Sequence, residues 1–170
     1  MYDKNPYNPM YDNNPYNSMY DNDSYNSMNN ANANTNINDC NLCQRFATIL
    51  KSQILQSERN LCAVTRMRNI NAEILGRPTR SPLALNALFS FEDIDERGQA
   101  LNLGETVILQ EEINPFISAL RAEGILVTAL HNHWLFDRPR LMYIHFESID
   151  NPISFAEKVA RAFQILERNC

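Results

Sequence analysis

The sequence predicts an α+β fold: an antiparallel-rich sheet with two helices on one face, a ferredoxin-like βαββα core, and a disordered repeat tail in front. Three observations predict it. The carboxy-terminal half alternates strand, helix, strand, strand, helix. Both of those helices open on Asn-Pro, at Asn114-Pro115 and Asn151-Pro152, where Asn serves as N-cap and Pro suits the first helical position. Nearly all core-forming side chains fall between Leu42 and Leu166, which leaves the first forty residues unable to bury a core.

The opening is a nine-residue repeat: YDKNPYNPM from Tyr2, YDNNPYNSM from Tyr11 and YDNDSYNSM from Tyr20, with an Asn-rich run to Asn38. Stacked repeats need an apolar face per unit, and these have none. Prolines break ladders and Asn and Asp favour turns, so residues 1–38 read as a disordered Tyr/Asn-rich tail. Six of the seven tyrosines lie there at regular spacing, which suits adhesive contacts with an unknown partner. Residues 40–170 read as a single α+β domain.

Within the domain, Leu42, Phe46, Ile49, Leu50 and Ile54 share one helical stripe, predicting a helix to about Leu55. Residues 61–75 look strand-like, and Gly76, Pro78 and Pro82 punctuate the loop that follows. From Leu83, the residues Leu83, Leu85, Ala87, Phe89 and Phe91 alternate as one face of a strand. Asp95 to Gly98 turns the chain into a strand that starts at about Ala100 or Glu105 and ends at Gln110. The first Asn-Pro helix buries Phe116, Ile117 and Leu120 and stops at Gly124. Strands over Leu126–Trp134 and Leu141–Glu147 follow, joined by the loop Leu135–Arg140. The last helix aligns Phe155, Val159, Phe163 and Leu166. The four glycines read as turns or helix stops.

Composition narrows the function. Asp and Glu number 20 against 15 Lys and Arg, a net charge of −5, which argues against duplex nucleic acid as partner. No apolar run approaches the roughly 20 residues of a membrane span. The start shows neither a charged n-region nor an apolar h-region, so the expectation is an unexported, soluble, cytoplasmic protein without membrane contact. Cys40 and Cys43 are spaced as in a zinc knuckle or redox pair, but nothing completes the motif. The reading is therefore reduced thiols at a domain edge.

All three histidines fall close together, and they define the candidate site. His131 and His133 sit two apart on one strand, so they share a face with Val127 and Ala129. His145 lies on the next strand, on one face with Leu141, Tyr143 and Glu147. The expected register sets His131 against His145 and His133 beside Tyr143, on the side of the sheet away from the helices. Two or three imidazoles with a carboxylate suit a divalent transition metal, with His131, His133 and His145 as ligands. Asn132, Tyr143 and Glu147 would complete a site for a small polar ligand, and Glu112, at the end of the preceding strand, would serve as general acid or base. The bland alternatives are a polar network that stiffens the sheet and a homo-oligomer interface. No Gly-rich phosphate loop or nucleophile elbow appears.

The block from Gly104 to Phe163 resembles the LppY/LpqO family, first described from mycobacterial lipoproteins. The residues that carry the resemblance are Glu111-Glu112 before Asn114-Pro115, the segment Val127 to His133, and Tyr143-Ile144-His145 before the closing helix. The resemblance covers residues 60–166 and implies a domain of unassigned activity. The chain differs from the mycobacterial members in lacking a lipoprotein export signal and in carrying the repeat tail. The tail's composition is similar to spore-surface or coat proteins, which makes a spore surface the alternative location and a non-catalytic assembly module the alternative function.

Overall fold

In the computed structural model the described residues are 37–167, with side chains from 41 onward. Residues 1–36 of the tail expected over 1–38 and the side chain of Cys40 lie outside them, whereas Ile37 and Asn38 already belong to a helix. The described residues fold as α+β, with a six-stranded antiparallel sheet, a three-stranded sheet and four helices. The elements run α1 (Ile37–Ile49), β1 (Gln53–Glu58), β2 (Leu61–Met67), β3 (Ala72–Ile74), β4 (Arg77–Thr79), α2 (Pro82–Leu85) and β5 (Asn86–Glu92). Then come β6 (Ala100–Leu109), α3 (Ile113–Ala122), β7 (Leu126–Asn132), β8 (Asp137–Arg138), β9 (Leu141–Asp150) and α4 (Pro152–Glu167). The large sheet has the order β1-β2-β5-β6-β9-β7, and the small one β4-β3-β8.

One face of the large sheet is closed by α1, α3 and α4, so three helices cover it where two were expected. Helical spacing brings Cys43, Phe46, Ala47 and Leu50 of the first helical segment onto the same core as Phe116 and Leu120 of α3. Phenylalanines interlock there: Phe116 meets Phe146 and Phe163 edge-on, at centroid distances of 6.0 and 5.3 Å. Gly104 is no turn residue. It lies in mid-β6 under the Phe146 ring, where a Cβ would stand 2.2 Å from a ring carbon. The close approach of ring to backbone needs glycine at this position.

The opposite face is covered only at one end. There Ile70, Ala72, Ala84 and Leu85 pack on Val107, Leu141 and Tyr143, beneath the small sheet and α2. Among the described residues no element covers the rest of that face, and it carries the histidines.

Several local expectations change. The first helix ends at Ile49, and Ile54 belongs to the edge strand β1, because Lys51 turns the chain at positive φ. Leu83 is no strand residue: Ser81 accepts a hydrogen bond from the Leu83 N–H and Pro82 starts α2. At α3 the N-cap is Glu112 rather than Asn114, since the short 3-10 turn Gln110–Glu112 runs directly into the helix. Asn151 does cap α4, its side-chain oxygen accepting from the N–H groups of Ile153 and Ser154. Finally, Cys43 and Cys62 are not reduced thiols. They are buried and joined in a disulfide that ties α1 to β2. By the chain-entropy estimate, closing a loop of this size contributes about 3 kcal/mol.

Candidate functional site

The site is built by β6, β9 and β7, adjacent antiparallel strands. In β6 the even residues face the helices, so Leu103, Glu105 and Val107 face the other way. On β9 the same alternation turns Tyr143, His145 and Glu147 onto the open face. Glu105 stands directly opposite His145 in the β6–β9 register. On β7, Ala129 is opposite His145 and His131 is opposite Tyr143. The register is thus two residues away from the expected pairing of His131 with His145. An irregularity between Val127 and Ala129 also switches Val127 to the helix side, where it packs against the core.

The imidazoles nevertheless meet along the diagonal. His131 Nε2 lies 2.9 Å from His145 Nε2. The ring centroids are 5.1 Å apart, so the two rings meet nearly head-on. His145 Nδ1 is 3.3 Å from a carboxylate oxygen of Glu105, and His131 Nδ1 is 3.2 Å from the backbone carbonyl of Asn132. The Asn132 carbonyl only accepts, so a hydrogen bond there is donated by His131 Nδ1, while Glu105 lies against His145 Nδ1 as a carboxylate–imidazole ion-pair contact. With both rings neutral and protonated at Nδ1, two lone pairs would face each other at the Nε2 contact. One further proton between them would join the two rings in a hydrogen bond.

His133 takes no part in this chain. Its ring stacks on Tyr143 with centroids 4.0 Å apart and meets Trp134 edge-on, while its backbone N–H donates to the Leu141 carbonyl. Burial pushes the His133 imidazole below its ordinary value, and the nearby His131 adds to this against the opposing charge of Glu105. Burial likewise pushes the Tyr143 phenol up.

The arrangement differs from the three-imidazole metal centre expected from the sequence. An ion held by both lone pairs sits about 2.0–2.1 Å from each nitrogen, so head-on rings would stand roughly 4 Å apart. Here they are 2.9 Å apart. Among the described residues, no group of three or more His, Cys, Asp or Glu is arranged to hold a metal.

Glu112 is elsewhere. Its side chain is 1 % exposed and takes both guanidinium arms of Arg68 at 2.7 and 2.8 Å, plus the backbone N–H of Leu109. Arg68 in turn donates to the carbonyls of Val107 and Leu166. The carboxylate that meets His145 is Glu105, which the sequence alone did not single out. Its signal was a lone charge in β6, two residues before the apolar run Val107 to Leu109.

Beside the relay, a cleft of about 280 Å³ opens on the same face. Glu105, His145 and Glu147 border it together with Ser90, Thr128 and Leu103. His145 and Glu105 thus touch both the cleft and the imidazole chain, whereas His131 lies behind them. The arrangement can hold a small hydrogen-bonding molecule and exchange a proton with it.

No curated protein matches the chain, and no solved structure does. The profile of a family described as Domain of Unknown Function (DUF1259) matches residues 44–165, which contain the open face and its histidines, and the chain belongs to that family.

Proposed function

We propose that the open sheet face binds a small polar ligand in the cleft beside His145, and that Glu105, His145 and His131 carry a proton to and from it. The observation that supports this reading is the head-on Nε2 contact at 2.9 Å, with both Nδ1 atoms held by acceptors. A carboxylate close to an imidazole favours the protonated ring, as in general acid–base sites. Glu105 is the orienting carboxylate, His145 the group that meets the ligand, and His131 the proton reserve. Glu147 supplies a further acceptor at the cleft, and Tyr143 holds His133 in place by stacking.

Two broader readings go with it. The strand order β6-β9-β7 with α3 and α4 on one face supports a ferredoxin-like βαββα core. The residues that resemble the LppY/LpqO family lie mostly on this core. For location, the Cys43–Cys62 disulfide favours an oxidising compartment, so a cell or spore surface fits better than the cytoplasm.

The test is a ligand screen against the full chain, read by chemical-shift changes at the histidine rings. Small amines, polyols and carboxylates should include binders that perturb His145 first and lose at least tenfold in affinity in Glu105→Gln and His145→Gln. Binders that ignore both substitutions would place the ligand site elsewhere.

A further inference from the structure

The small sheet ends in a tip unlike the rest of the surface. Leu75 forms the β3–β4 turn together with Gly76, both at positive φ, and its side chain is 74 % exposed. Its N–H donates to the carbonyl of Phe136 at 2.9 Å, which sets the turn against the β7–β9 loop. There Leu135 and Phe136 are 77 % and 68 % exposed. Three large apolar side chains therefore project from two adjoining turns. Left-handed backbone is unfavourable for leucine, so folding stability alone does not account for an exposed leucine here.

Arginines flank the tip. Arg77 opens β4 opposite Ile74, and Arg138 on β8 lies opposite Glu73, on the two sides of β3. Both are exposed, and among the described residues neither has an ion pair or a side-chain hydrogen bond. In a chain of net charge −5, two exposed guanidinium groups beside three exposed apolar side chains form a local exception.

We infer that this tip docks on an anionic lipid surface. Apolar side chains on convex turns enter the headgroup boundary, and flanking arginines remain at the level of the phosphates. A groove-forming protein partner would call for a concave apolar face, and these residues project outward. No helix among the described residues is long and apolar enough to cross a membrane, so the contact is peripheral. The tip adjoins Trp134 and His133, so docking would bring the open sheet face close to the lipid surface. The inference is independent of the ligand proposed for that face.

The test is co-sedimentation of the full chain with phosphatidylglycerol-containing and purely zwitterionic vesicles. The expected result is binding to the anionic vesicles only, weakened by salt. It should fall at least tenfold in Leu135→Ser/Phe136→Ser and severalfold in Arg77→Gln/Arg138→Gln. These side chains are exposed, so melting temperatures should stay near that of the parent and confirm folded variants. Three results would overturn the inference: no binding by the parent, equal binding by both double variants, or self-association that the same substitutions abolish.

Discussion

Two glutamates from one stretch of chain, Glu112 and Glu105, show how differently a carboxylate can be employed. Glu112 is sealed against Arg68, and its oxygens also serve the Leu109 N–H. Arg68 in turn is held by the carbonyls of Val107 and Leu166. Glu105 stands on the open face against the His145 imidazole, and that imidazole leads to a contact that is complete only with an extra proton. A closed network of this kind holds a fold together. An open one, beside a cleft, leaves something for a ligand to do.

The same substitution at the two positions separates these roles. Glu112→Gln leaves the Arg68 guanidinium buried with its charge uncompensated, and stability should fall by about 3–5 kcal/mol. Glu105→Gln removes a half-exposed, screened partner and should change stability by less than about 1 kcal/mol. Urea denaturation of both variants decides it. Similar losses at the two sites would erase the distinction between them.

A smaller effect comes from His133. Its imidazole is held below the ordinary value in the folded chain, so between that lowered value and about 6.5 the unfolded chain binds the proton and the native one does not. Stability should therefore rise with pH through that window and decline as pH falls through it. Replacing His133 with Asn should flatten this part of the stability–pH curve. An unchanged slope would show that the stacked ring on Tyr143 is not desolvated.

Much of the architecture was legible in the sequence. Period-two alternation in β5 and β9 and the Asn151-Pro152 start of α4 needed no tertiary information. What escaped depended on distant partners. Cys43 reads as half of a CxxC until the fold brings it to Cys62, and Gly104 reads as a turn until Phe146 lies across it. The faces of His131 and His145 follow from alternation alone, whereas their register is set by an irregularity at Val127 that no residue type announces. Glu112 attracted attention as half of an acidic pair, but a buried partner at Arg68, far away in sequence, determines what it does. Glu105 could be recognised only once β6 lay beside β9.

The most direct test of the relay is nitrogen-15 NMR of the histidine side chains in the full chain at neutral pH. The account predicts His131 and His145 both protonated at Nδ1, with one further proton shared between the Nε2 atoms and a scalar coupling across that contact. Two independent rings, each carrying its proton on Nε2 with no coupling between them, would contradict it.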